Sequence, residues 1–238
     1  EAETTEPPRD RFLHRLKDLC HANGAIFILD EMITGFRWHL SGAQAYYDLR
    51  PDLSTFGKAL ANGFSVSALV GKRALMEPGG IRHAGERVFL LSTTHGAETH
   101  GLAAALETMR IYRTDHVVEA LWRQGDRLRL GVEAAIAEHG LERFFALLGK
   151  PCNLVYATRG PDGEPSQSFR ALFLQELIRR GILAPSFVVS FSHTDDDVDR
   201  TIEAVGESLS VYRQALDAGS VDRHLVGPPV KRVFRSRA

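Results

Sequence analysis

Two side chains between Ile26 and Ala68 have the types and the setting to act on one ligand. The apolar run Ile26-Phe27-Ile28-Leu29 stops at Asp30 and Glu31, and Lys58 follows beside Gly57 and ahead of Ala59-Leu60-Ala61. A carboxylate delivered at a strand end can hold the protonated nitrogen of an aromatic cofactor. A lysine in apolar surroundings has its ammonium form disfavoured, which leaves an amine able to condense with an aldehyde. A third stretch, Ser92-Thr93-Thr94 ahead of a predicted helix, offers hydroxyls and backbone N–H groups that suit a phosphate. Each has an ordinary alternative: a helix cap or an ion pair with Arg37 or Arg73 for Asp30, a solvated lysine at a helix start, an unliganded N-cap. Together they match three parts of one cofactor: pyridinium nitrogen, aldehyde and phosphate.

The elements around these residues are those of an α/β protein. Pro7-Pro8 delays helix formation to Arg9, and Phe12, Leu13, Leu16, Leu19 and Cys20 then recur at helical spacing until Asn23-Gly24 stops the run. Ala25 to Leu29 is continuously apolar, as for a parallel strand covered on both faces, and ligands of such sheets gather at the carboxyl ends of strands, where Asp30 sits. Thr34 to Leu53 reads as loop, Ser54 to Phe56 and Val66 to Val70 as strands, Met76 to Glu86 as a surface loop, and Arg87 to Leu91 as a strand that empties into the hydroxyl run. Helices follow from about Thr99 to Tyr112 and from Val117 to His139.

After Gly149-Lys150-Pro151 the pattern changes to a smaller α+β module. It has strands at Asn153 to Thr158, Ile182 to Ala184 and Val188 to Phe191, a helix from Ser168 to Arg180, and a second helix capped by Thr194 and reaching about Leu216. The expected organisation is a larger domain over 1–149, a small domain over 150–218 and a tail over 219–238. That tail, with Lys231, Arg232, Arg235 and Arg237, reads as a loose arm or a partner contact.

Composition narrows the partners. The 29 basic and 30 acidic residues nearly cancel, so there is no general attraction to nucleic acid or to an acidic membrane surface. No apolar run is long enough to cross a bilayer, and the acidic start, Glu1 to Phe12, is unlike a signal peptide. Cys20 and Cys152 stand in no ligand-like spacing, so neither a disulfide framework nor a metal site is expected, and a cytoplasmic setting with small-molecule partners fits.

The stretch LDEMITGFRWHLSGAQAYYDLRPDLSTFGKALANGFSVSALVGKRALM resembles the class III (fold type I) pyridoxal-phosphate (PLP) aminotransferases, and within them the glutamate-1-semialdehyde aminomutase-like branch. The DExxTG box from Asp30 to Gly35, the SGAQAYY and PDL segments and the GKA lysine box stand in the family's order and spacing. The resemblance runs from Glu6-Pro7 to about Tyr112 and more weakly to Tyr212. It implies the later part of a fold type I large domain, with a mostly parallel sheet flanked by helices, plus a small α+β domain.

Carried over by residue, the resemblance makes Lys58 the lysine that binds PLP and moves the proton. It makes Asp30 the partner of the ring nitrogen, and Met32 a side chain packed against one ring face, although plain core packing fits Met32 nearly as well. Thr94, with Thr93 as fallback, would reach the phosphate of the neighbouring subunit's cofactor, which implies a homodimer with shared sites. The expected reaction moves an amino group from an amino donor to a keto or aldehyde acceptor. Ala184-Pro185-Ser186 runs to His193 without an acid, which weakens the aminomutase alternative, and STTHGAETHG departs from the family's pattern. His95 and His100 there could line a pocket, but surface or packing roles are the simpler expectation. The family's earlier phosphate-gripping loop and stacking aromatic are not in this sequence, so the chain matches the carboxyl-terminal half. A separate amino-terminal half is therefore one expected partner, and a non-catalytic dimerisation or regulatory half-chain is the third reading. Arg37 is a candidate for a substrate carboxylate, weighed against a structural pairing with Asp30 or Glu31.

Overall fold

A computed structural model describes residues 8–87, 96 and 98–229. The chain forms two compact units, with the division between Glu119 and Ala120.

In the first unit, helix α1 (Phe12–Ala22) ends as its sequence requires. Gly24 takes φ +67°, and the Ala25 N–H reaches back to the Cys20 carbonyl at 2.8 Å, closing the last turn in a left-handed cap. Strand β1 (Ile28–Asp30) follows and pairs in parallel with β2 (Leu53–Phe56), which pairs antiparallel with β3 (Ala68–Gly71). Between β1 and β2 the expected loop contains one short helix, α2 (Ala43–Tyr46). After β3 come α3 (Arg73–Met76) and, beyond a gap in the described residues, α4 (Thr99–Thr114). The strand expected from Arg87 to Leu91 lies, but for its first residue, outside the described residues.

Asp52 holds the start of this sheet. Its buried carboxylate accepts from the Phe27 backbone N–H at 2.7 Å, lies 2.9 Å from the His21 Nε2 and accepts from the Lys72 Nζ at 2.5 Å. One side chain therefore joins the end of α1, the approach to β1 and the residue after β3. The core on the other side is Phe56, Leu60, Ala61 and Ala105, with Phe36 and Met109 packed against it. Among the described residues β1 is not covered on both faces as expected, and Ile28 is 54% exposed. Among the described residues the sheet ends at β1, whose outer edge has no paired strand.

The second unit begins within α5 (Val117–Glu138) and continues through β4 (Phe145–Lys150), β5 (Asn153–Thr158), α6 (Gln167–Arg179) and α7 (Asp195–Asp217). From Ala120 onward the chain groups with this unit, and α5 packs on second-unit partners. Gly125 lies so close to the Pro151 carbonyl that a Cβ would sit 1.9 Å from that oxygen, and Gly131 faces Ile202. Arg127 forms a two-pronged pair with Asp199 at 2.7 and 2.8 Å.

β4 and β5 form a tight antiparallel hairpin across Pro151-Cys152, with Gly149 at φ +88°. The strands expected at Ile182 to Ala184 and Val188 to Phe191 do not form. That segment makes a single bridge, Phe187 to Leu154, and its Leu183 is 80% exposed, so a short apolar run is insufficient without a ladder partner. Thr194 caps α7 as expected, in a reciprocal box with Asp197. The tail is not loose where it is described: Gln175 donates to the His224 carbonyl and accepts from the Val226 N–H, each at 2.8 Å, and Val221 is buried. Its basic residues Lys231, Arg232, Arg235 and Arg237 lie outside the described residues.

Candidate active site

Asp30 and Lys58 come to the same end of the sheet because β1 and β2 are parallel and in register, with Asp30 opposite Thr55. Asp30 closes β1, while Phe56 closes β2 two residues before Lys58. The Asp30 Oδ1 accepts from the Met32 N–H at 2.9 Å and from the Thr55 hydroxyl at 3.1 Å. These two donors fix the carboxylate's orientation from its own loop and from the neighbouring strand.

Gly57 and Lys58 turn the chain away from β2. Lys58 opens a 3-10 turn over Lys58–Leu60 and takes φ +44°, a left-handed conformation that a residue with a Cβ adopts at a cost. The turn is held because Leu60 and Ala61 are buried in the core cluster. Gly57 is needed for a separate reason: a Cβ there would fall 2.3 Å from the Met32 Cε and 2.9 Å from its Sδ. Met32 therefore lies flat against the backbone next to Lys58, and its N–H binds Asp30. The expected apolar enclosure of Lys58 is absent, since the side chain is exposed, as is that of Asp30. The expectation rests on the run Ala59-Leu60-Ala61, but Leu60 and Ala61 turn into the core and leave the lysine outside it.

Glu31, which the sequence pattern marks only as the second acid of a pair, is the most buried charged group near the site, at 1% exposed. It accepts from the Thr34 hydroxyl, from the Ala43 N–H at 2.7 Å and from the Gln44 N–H at 2.7 Å. The last two are free donors at the start of α2. Gly42, at φ +81°, leaves room for that carboxylate, because a Cβ would sit 2.6 Å from it. A sequence signal for this role exists: an acid adjoining a strand end, with a Ser-Gly helix start downstream.

Thr93, Thr94 and His95 lie outside the described residues. His100 is exposed, 3.3 Å from a Glu98 carboxylate oxygen and beside the Phe64 ring, which is a surface role. Arg37 lies near Tyr112, whose hydroxyl pKa is pushed up by burial and pulled down by Arg37, with burial the larger effect. Trp38, Tyr46 and Tyr47 pack edge to face, with ring centroids 5.0 to 5.9 Å apart, on the loop that Glu31 anchors.

The residues present fit two of the three parts of the expected cofactor. An oriented carboxylate at one strand end suits a protonated ring nitrogen, and an amine at the adjacent strand end suits an aldehyde. Among the described residues no cluster of His, Cys, Asp and Glu could hold a metal ion, and no helix is long and apolar enough to cross a membrane.

The architecture and this pair define a piece of an α/β fold with a candidate site at the carboxyl ends of two parallel strands. Residues 5–143 match the family model described as aminotransferase class-III, and the chain belongs to that family. A 3-aminobutyryl-CoA aminotransferase from Cloacimonas acidaminovorans (strain Evry) is 31% identical over 212 residues, which is 88% of this chain and 49% of that protein. A glutamate-1-semialdehyde 2,1-aminomutase from Desulforudis audaxviator (strain MP104C) is 34% identical over 213 residues, 85% of this chain and 48% of the relative. Among solved structures, the PLP internal aldimine form of FumI protein from Sphingopyxis sp. MTA144 superposes with a TM-score of 0.78 at 26% identity, covering 92% of this chain and 51% of that one. The chain thus spans about half the length of the curated relatives it matches.

Proposed function

We propose that this chain carries the lysine-bearing half of the active site of a PLP-dependent aminotransferase, which moves an amino group from an amino donor to a keto or aldehyde acceptor. The observation that carries the reading is the placement of Asp30 and Lys58 at adjacent ends of two parallel strands, joined through Met32. When bound, PLP supplies an aldehyde that takes up the amino group and a protonated ring that accepts the electron pair left at the substrate carbon. Asp30 keeps the ring nitrogen protonated, its Oδ1 already oriented by Met32 and Thr55. Lys58 would hold the cofactor through its amine, and the same amine would serve as the group that moves the proton at the substrate carbon. Met32 offers a soft apolar surface to one ring face. Thr94, or Thr93, would contact phosphate across a homodimer interface, and a further segment, on this polypeptide or another, would complete the grip.

Support comes from the family match and from relatives named as aminotransferases. The aminomutase reading has its own support in relatives of that name at 32 to 34% identity. The segment from Ser186 to His193 has no acid, which favours transfer between two molecules. The larger and smaller domains of the family would correspond to 1–149 and 150–218, and a cytoplasmic setting is consistent with small-molecule metabolism.

The test uses a 15N-labelled amino donor, PLP and a panel of keto and aldehyde acceptors, with glutamate-1-semialdehyde as a separate arm. Labelled amine in an acceptor, lost in Lys58→Ala, supports transfer. Formation of 5-aminolevulinate without a second acceptor would move the reading to the aminomutase. Transfer that persists in Lys58→Ala would refute both.

A further inference from the structure

We infer that Glu31 is a positioning residue for this site: its buried carboxylate locks the Met32 to Gly42 loop, and through Met32 fixes the relative placement of Asp30 and Lys58. The inference rests on the reading of Asp30 and Lys58 as cofactor partners, and it adds a residue to which no ligand contact is assigned.

Glu31 is bonded through its main chain and its side chain in different directions. The Glu31 N–H donates to the Thr55 carbonyl at 2.9 Å, and the Glu31 carbonyl accepts from the Gly35 N–H at 2.9 Å. The main chain on both sides of Glu31 is thereby tied to β2 and to the first turn of the loop. The side chain ties the far end: Oε2 takes the Ala43 N–H and the Thr34 hydroxyl, and Oε1 takes the Gln44 N–H. The first N–H groups of α2 have no partner within the helix, and the Glu31 carboxylate satisfies those of Ala43 and Gln44. A carboxylate buried to this degree keeps its partners as a set, because each donor lost leaves an unsatisfied buried group.

Met32 connects the lock to the chemistry. Its N–H holds the Asp30 Oδ1 at 2.9 Å, and its thioether fills the space above Gly57, the residue before Lys58. A shift of the loop would move Met32, release Asp30 from one of its two described donors and loosen the support under Gly57. Gly42 is part of the same device, since any side chain there would strike the Glu31 carboxylate.

The test compares Glu31→Gln, Thr34→Val and Gly42→Ala in the full 238-residue chain. The first readout is amide hydrogen exchange without PLP, covering 32–44 and, as reference, the β4–β5 hairpin. The second is the rate at which PLP, fixed by borohydride, labels Lys58 relative to Lys17, Lys72 and Lys150. Glu31→Gln should speed exchange at Ala43 and Gln44 by about tenfold or more, the size expected for losing a charge-assisted hydrogen bond, leave the hairpin unchanged and lower the Lys58 labelling ratio. Gly42→Ala should do the same, the double variant should add little, and Thr34→Val should give a smaller effect. Uniform exchange increases with an unchanged Lys58 ratio would reduce Glu31 to a general stabiliser and overturn the inference. If Glu31→Gln does not fold, Thr34→Val and Gly42→Ala decide the matter by the same readouts. Failure of the wild type to label Lys58 selectively would refute the cofactor reading, while the exchange data would still show whether Glu31 holds the loop.

Discussion

At the scale of residues, three carboxylates within one short stretch have three different tasks set by their surroundings. Asp30 closes β1, is exposed and is held by two described donors, the setting the proposed cofactor contact needs. Glu31 is buried and committed to the loop. Asp52, at the other end of β2, is held well below the ordinary carboxylate range, chiefly by the hydrogen bond from Lys72, then by the Phe27 N–H and His21, against the opposing effect of burial. A carboxyl whose folded pKa lies below its unfolded value of 3.8 gives stability that is present above about pH 4 and is lost as pH falls further, because the unfolded chain then binds the proton first. Asp52→Asn should therefore destabilise the first unit by about 2 to 3 kcal/mol at neutral pH, and denaturant titration at pH 7 and pH 3 should show the difference from wild type shrinking in acid. Asp30→Asn should leave stability nearly unchanged and lower amino transfer far more than PLP retention, as steady-state kinetics beside equilibrium dialysis would show. The acid Asp30 and the amine Lys58 are legible in sequence from their places after an apolar run and a glycine. For Glu31 the signal is slighter, an acid beside a strand end with Ser41-Gly42 downstream, because two of its partners are backbone donors of a helix too short to leave a periodic pattern.

At the scale of elements, what the sequence conveys depends on whether a segment's partners are local. Helices α1, α4, α5, α6 and α7 are legible from apolar spacing and caps, and β5 forms over the residues expected, Asn153–Thr158. β4 is not, and two expected strands near 182–191 do not form, because a strand exists only by virtue of the partner beside it. Two packing sites in the second unit lend themselves to substitution. The buried Tyr212 hydroxyl donates to the Arg159 carbonyl at 2.7 Å, with the Phe144 carbonyl also in reach at 3.1 Å, and accepts from the Arg159 N–H at 3.1 Å. Burial pushes its pKa far above the ordinary phenol range. The Arg159 N–H keeps the Phe144 carbonyl at 2.8 Å, so Tyr212→Phe should cost about 1 kcal/mol, for the buried hydroxyl's lost donation to the Arg159 carbonyl, measurable as a lower thermal midpoint. At Gly125 there is no room for a methyl group against the Pro151 carbonyl, so Gly125→Ala should force α5 away from the hairpin turn and cost about 1 to 3 kcal/mol, and hydrogen exchange at 145–158 should rise with it.

At the scale of the whole molecule, the chain spans about half the length of its relatives and carries two compact units with different degrees of closure. The second unit has a continuous aromatic core in which Phe145, Tyr156, Phe173 and Tyr212 touch one another or a shared ring. In the first, the sheet ends at β1 among the described residues, and Ile28 and Asp30 are exposed. Under the proposed reading, cofactor attachment needs only Lys58, whereas tight retention needs phosphate contacts from elsewhere, so a trapping reaction is more informative than an affinity. The decisive measurement is borohydride reduction of the 238-residue chain with PLP, followed by peptide mass mapping. A pyridoxyl adduct concentrated on Lys58, reduced when Asp30 is changed to Asn and absent in Lys58→Ala, is the expected outcome. Labelling spread over Lys17, Lys72 and Lys150 with no preference for Lys58 would contradict the assignment of Asp30 and Lys58 to one cofactor site.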